Sequence, residues 1–199
     1  ARKEVPKSYR GIIALTAIVW IGVASFIYYN TQVLNPYQSS DSTEQLSADF
    51  EKKYGKYRTV VSPKITDAKY YIDIFPEERN INVKADIQLT NASNKAIDSL
   101  HFYNLEGWDT KLNIPNATVV FEDDTYLYTI YKLSPALQPG EQIMLHVDNT
   151  YLTKGFENGR GNTNIINNGT FFNNGGVLPT MGYAENFELS DKNTRKKYD

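Results

Sequence analysis

Residues 81–90 read INVKADIQLT. Ile81, Val83, Ala85, Ile87 and Leu89 alternate without a miss with Asn82, Lys84, Asp86, Gln88 and Thr90. Successive side chains of an extended chain point to opposite faces, so this period of two predicts a half-buried antiparallel strand. The neighbouring segments repeat the pattern. Upstream, Ala68, Tyr70, Ile72 and Ile74 share one face of a strand, joined to the first by the polar turn Pro76–Asn80. Downstream, Asn91–Asn94 turns the chain into a strand over Ile97–Leu105. Thr118–Phe121 and Thr125–Leu133 flank Glu122-Asp123-Asp124, a hairpin turn. Leu137-Gln138-Pro139-Gly140-Glu141 carries strong turn chemistry, after which Ile143, Leu145 and Val147 alternate again toward Tyr151. Six or seven strands at this spacing predict an antiparallel sheet or sandwich over residues 63–154. The 15 Tyr and 9 Phe suit strands.

N-terminal to the strands the period changes. Asn35-Pro36 opens a polar linker over 35–62, and Asp41-x-x-Glu44 resembles a capping box. Leu46, Phe50 and Tyr54 recur at i, i+4 and i+8, which predicts a short amphipathic helix over 42–54, with Gly55 as its stop.

Before the linker, Gly11–Tyr29 reads GIIALTAIVWIGVASFIYY, and no charge occurs from Gly11 to Ser40. About 20 apolar residues at 1.5 Å rise cross a bilayer core of roughly 30 Å. Residues 11–34 are therefore expected to form a transmembrane helix, with Tyr28 and Tyr29 where an outer aromatic belt belongs. The run is longer than the apolar stretch of a cleavable signal and lacks a clear small-residue cleavage site. It is also too long for an ordinary buried core helix. In the flank 1–10, Arg2, Lys3, Lys7 and Arg10 against Glu4 give +3, which leaves −5 for the rest of a chain of formal charge −2. The basic flank predicts a cytoplasmic N-terminus in the inner membrane and an extracytoplasmic, periplasmic position for the strands. Ala1 and Asp199 both open and close the chain abruptly, and both ends are expected to have been cut from a longer polypeptide.

C-terminal to the strands, 13 of the 22 residues from Gly155 to Gly176 are Gly or Asn. Phe156, Ile165, Ile166, Phe171 and Phe172 are embedded there, so parts of this long loop are expected to dock. Ser190 is expected to cap a last helix, Asp191–Tyr198, whose Arg195-Lys196-Lys197 suits a helix C-terminus.

Chemistry is sparse. There is no Cys, which removes disulfides, thiol nucleophiles and Cys-ligated metals. His101 and His146 are the two histidines, too few for a multi-His metal site, and each reads as a solvent-side or hydrogen-bonded strand residue. A pI near 5.8 argues against nucleic acid. Gly159-Arg160-Gly161 lacks the strand-to-helix context of a dinucleotide site. Asn91-Ala92-Ser93, Asn116-Ala117-Thr118 and Asn168-Gly169-Thr170 fit the glycosylation sequon.

An ordered set of segments carries a resemblance. Tyr28-Tyr29-Asn30-Thr31 ends the apolar helix, Tyr54-Gly55-Lys56-Tyr57 ends the linker helix, and Pro63-Lys64-Ile65-Thr66-Asp67 enters the first strand. Asp73–Arg79, Leu137-x-Pro139-Gly140-Glu141, Gly169–Asn174, Pro179-x-Met181-Gly182-Tyr183 and Glu188-Leu189-Ser190-Asp191 follow. Together they resemble the junction of bacterial ABC-transporter permeases fused to an aminopeptidase N-like metallopeptidase. The resemblance implies a non-catalytic, saddle-like capping β domain, with zinc and its H-E-x-x-H ligands only in a downstream domain. It implies no cofactor in this chain. It implies as partners the bilayer, that metallopeptidase-like domain and, through the parent protein, an ABC ATPase subunit and a peptide substrate. Phe171, Phe172, Asn173 and Tyr183 would lie along the domain interface or substrate cleft. Gly182-Tyr183-Ala184-Glu185-Asn186 echoes the family's G-A-M-E-N motif, but Ala184 replaces its Met and no strand pattern surrounds it. Where many relatives carry a Gln that touches the substrate amine, Phe171 or Phe172 stands here. The alternative reading is a stand-alone, single-pass, membrane-anchored β domain for protein binding or adhesion.

Overall fold

The computed structural model describes residues 7–158 and 164–198. Most of the basic flank, Gly159-Arg160-Gly161 and Asp199 lie outside the described residues. The chain divides into two units, one built on the N-terminal segment up to Gln38 and the segment from Thr153, the other on Ser39–Leu152 and the C-terminal segment.

The first unit is dominated by helix α1, Lys7–Tyr28, which continues as a π-turn over Tyr29–Leu34. From Tyr9 to Leu34 it is long and apolar enough to cross a membrane, and its most apolar window has no buried residue. A helix that is apolar all round needs an apolar environment on every side. Its C-terminal end is polar and internally satisfied. Asn30 Nδ2 donates to Phe26 O at 2.8 Å and Thr31 Oγ1 to Ile27 O at 2.9 Å, and both side chains are buried. Asn35 N donates to Asn30 O at 3.1 Å, five residues back, which sets the wider turn. Asn35 Nδ2 reaches Lys154 O at 2.6 Å and Phe156 O at 3.2 Å. Gly155, at φ +59°, lies so close that a β-carbon there would stand 2.0 Å from Asn30 Oδ1. Phe156 packs on Phe26 with ring centroids 5.7 Å apart.

The second unit is mainly β and antiparallel. One four-stranded sheet has the order β1 (Lys64–Phe75), β2 (Asn80–Thr90), β7 (Gln142–Tyr151), β4 (Trp108–Asn113). The other has the order β10 (Thr180–Met181), β3 (Ile97–Tyr103), β6 (Tyr128–Leu137), β5 (Ala117–Asp123). A hairpin of β8 (Ile165–Ile166) and β9 (Gly169–Thr170) pairs with neither sheet, but its Ile165 is buried in the main core. Ile81, Val83, Ala85, Ile87 and Leu89 are each no more than 2% exposed, as their alternation requires. They join Leu100, Phe102, Leu133, Leu145 and Val147 in one core drawn from both sheets. Each fully buried Val, Leu, Ile or Phe among them stabilises by about 1.5–3 kcal/mol.

The sheet containing β3 and β6 is covered on both faces. Leu100 and Phe102 enter the main core, while His101, between them, lies against Tyr57 and Tyr128. On that second face helix α2, Ser40–Tyr54, sets Phe50 and Tyr54 against Tyr128, Ile130 and Ala184, with Tyr57, Tyr103, Tyr126, Tyr183 and Phe187 around them. The aromatic content therefore fills a second core as well as strand positions.

Several local expectations shift. Ser39, not Asp41, caps α2: its Oγ accepts from Ser42 N at 3.2 Å, so the helix starts two residues before the expected 42. Asp191, not Ser190, caps helix α3, Lys192–Tyr198, accepting through Oδ1 from Asn193 N at 2.9 Å and Thr194 N at 2.8 Å. The β5–β6 turn falls after Asp123, with Leu127 at φ +52°. Strand β4 has no counterpart in the alternation reading, and β3 ends at Tyr103 rather than Leu105.

Candidate functional site

The four residues singled out from sequence do not form one site. Phe171, directly after β9, is 76% exposed. Phe172 is half-buried against the main core. Asn173 is exposed and turns the chain, its Oδ1 accepting from Gly176 N at 3.0 Å. Tyr183 stacks on Phe50 in the aromatic core, with centroids 5.3 Å apart. Phe172 and Tyr183 thus serve cores on opposite faces of the β3–β6 sheet. Within the G-x-x-E-N match, Ala184 is fully buried in the aromatic core and Glu185–Phe187 forms a turn of 3₁₀ helix.

The two histidines are on different sheets. His101 is buried, with Nδ1 3.0 Å from Tyr128 Oη, and burial lowers its pKa from the ordinary value. A buried imidazole gives up charge because the protonated form loses its hydration. His146 Nδ1 lies 2.6 Å from Asp86 Oδ1 on an open face. Among the described residues no group of three or more His, Cys, Asp or Glu could hold a metal ion.

Charge is concentrated where α2, residue 188 and α3 meet. Arg195 Nη2 lies 2.8 Å from Glu51 and 3.1 Å from Glu188. Arg58 pairs with Glu188 and lies 3.5 Å from Glu51. Burial opposes ionisation of Glu188, but Arg58, Tyr183 and Arg195 outweigh it and hold its carboxyl below the usual range. Glu51, Arg58 and Arg195, with Lys52, line a cleft of about 290 Å³. Arg58 and Arg195 each pair with Glu51 and Glu188, so the cluster fastens α2, residue 188 and α3 together.

A different surface is left open. At one end of the unit a cleft of about 470 Å³ is lined by Ile74, Phe75, Pro76, Glu77, Glu78 and Asn167. Ile72, Ile74, Phe75 and Ile166 are all between 38% and 46% exposed. The alternation of β1 placed Ile72 and Ile74 on one face with Ala68 and Tyr70; among the described residues that face is half-buried at Ala68 and Tyr70 and exposed at Ile72 and Ile74. The sequons also separate. Asn91 is fully buried, with Nδ2 bonded to Lys95 O and Leu137 O at 2.8 Å, whereas Asn116 and Asn168 are exposed.

The sequence matches no family model, and no curated protein is significantly similar to it.

Proposed function

We propose that this chain is a membrane-tethered, extracytoplasmic β domain that acts by covering a partner domain rather than by chemistry of its own. Gly11–Tyr29 spans the inner membrane, with Ala1 in the cytoplasm, because the +3 flank resists translocation. The two four-stranded sheets act as a sandwich of the saddle-like capping type. Its partner is a downstream metallopeptidase-like domain of the same polypeptide, in an ABC permease/aminopeptidase N-like fusion. Zinc, peptide substrate and the ABC ATPase belong to that parent.

The observation that supports this reading is the open cleft lined by Ile74, Phe75, Pro76 and Asn167, with Ile74 40% and Phe75 43% exposed. A patch of that kind on a packed domain marks an interaction surface. The open edge of β1, a strand of 12 residues, favours a second reading. An edge of unpaired backbone groups can accept a strand from another protein, as in a stand-alone adhesion or binding module. Amide hydrogen exchange separates the two. The capping reading expects residues 72–75 and 166–172 to gain protection when the polypeptide continues through the downstream domain. Equal protection in both forms contradicts capping.

A further inference from the structure

We infer that the segment Thr153–Asn158 is a second membrane contact, an interfacial finger that sets Phe156 into the bilayer boundary beside Phe26. The inference rests on the reading of Gly11–Tyr29 as a membrane span. Phe26 is three residues before Tyr29, about 4.5 Å along the axis at the rise of an α-helix. It therefore sits just inside the aromatic level of the outer leaflet. The Phe156 ring lies against Phe26, and both are exposed, 41% and 62%. Whatever apolar medium surrounds the helix at that depth also meets Phe156.

The finger is fixed to the helix by specific chemistry. Asn35 Nδ2 holds the carbonyls of Lys154 and Phe156, and Gly155 packs against Asn30 where no side chain fits. The buried amide of Asn30 and hydroxyl of Thr31 bond back to carbonyls of their own helix. This is the internal satisfaction a low-dielectric boundary demands. Lys154 and Glu157 flank Phe156 and are exposed. A charge on each side of a single aromatic limits entry to the interface, where aromatic rings and lysine stems are favoured.

The chain contains no Cys, so single cysteines label cleanly. Phe26→Cys, Phe156→Cys and Val120→Cys are each labelled with an environment-sensitive fluorophore. The full chain is then placed in phosphatidylcholine vesicles that carry a nitroxide on the upper acyl chain. Val120 is an exposed residue of β5 and serves as the solvent reference. The expected result is loss of fluorescence at positions 26 and 156 alike, and none at 120. Quenching at 26 but not at 156 overturns the finger and leaves the span intact. No quenching at either position overturns both. Gly155→Ala, whose β-carbon collides with Asn30, is expected to abolish quenching at 156 and preserve it at 26. Retained quenching at 156 in that background overturns the anchoring by the Asn30–Gly155 contact.

Discussion

The ring of Tyr183 lies on that of Phe50, with centroids 5.3 Å apart and planes 18° from parallel. Phe50 is fully buried and also meets Tyr54, Tyr103, Tyr126, Tyr128 and Phe187. One side chain of the linker helix thus joins the second face of the β3–β6 sheet to the C-terminal segment. Phe50→Ala is expected to destabilise the chain by about 3–5 kcal/mol. Val120→Ala, on an exposed edge, should stay within about 0.5 kcal/mol. Urea midpoints of the two variants check this; similar midpoints would mean that α2 is not part of the folded core.

Ile87 and Gln88 test the faces of the central strand. Ile87 is 2% exposed, whereas Gln88 reaches outward to Gln142 at 2.6 Å. Ile87→Asp buries an unpaired carboxylate at a cost of several kcal/mol, by the desolvation of charge, and is expected to unfold the domain. Gln88→Asp loses one exposed hydrogen bond and should cost about 1 kcal/mol or less. Circular dichroism melts distinguish them, and equal melting temperatures would reverse the assignment of faces.

Acid sensitivity follows from Glu188. Its carboxyl is held below the ordinary value of 4.5, so the folded state binds its proton less readily than the unfolded state. The stabilisation is complete above the unfolded value and is lost as pH falls through the folded one. Glu188→Gln should therefore flatten part of the fall in melting temperature between about pH 5 and about pH 3. Asp123 and Asp98, also lowered, keep the remainder. An unchanged slope would show that the Arg58–Glu188–Arg195 cluster contributes nothing to folding.

Asn91 is a structural amide despite its sequon. Its Nδ2 satisfies the carbonyls of Lys95 and Leu137, and its Oδ1 accepts from Ser93 N at 3.0 Å. Asn91→Ala removes the side-chain donor to the buried Leu137 carbonyl, while Lys95 O keeps Ser93 Oγ, and is expected to cost about 1–3 kcal/mol. A urea midpoint equal to the parent's would contradict that role.

The strand pattern was legible where one face of a strand is buried and the other is open. In β2 this makes polarity alternate with the pleat, so Ile81 to Leu89 declared themselves. It failed where both faces are covered. His101 reads as a solvent-side or hydrogen-bonded residue of β3; it is the second, bonded to Tyr128, and the cover on its face comes from residues 44 positions upstream and 27 downstream, Tyr57 and Tyr128. Trp108–Asn113 was missed because its alternation is short and polar, and pairing with β7 fixes it. Helix ends shifted by one or two residues because Ser39 and Asp191 compete with neighbouring capping residues, and local geometry selects between them. The bonds from Asn35 to Lys154 and Phe156 were invisible in sequence: Asn, Gly and Phe in a loop show no period, and the partners lie some 120 residues away.

The central claim is a tethered domain on the far side of a membrane from Ala1. Single cysteines at Lys3 and Val120 of the otherwise Cys-free chain report each side through an impermeant maleimide applied to intact cells. The account predicts that Val120→Cys reacts without lysis, that Lys3→Cys reacts only after lysis, and that the mature chain retains residues 11–29. A Val120→Cys that reacts only after lysis, or a mature chain lacking residues 11–29, contradicts it.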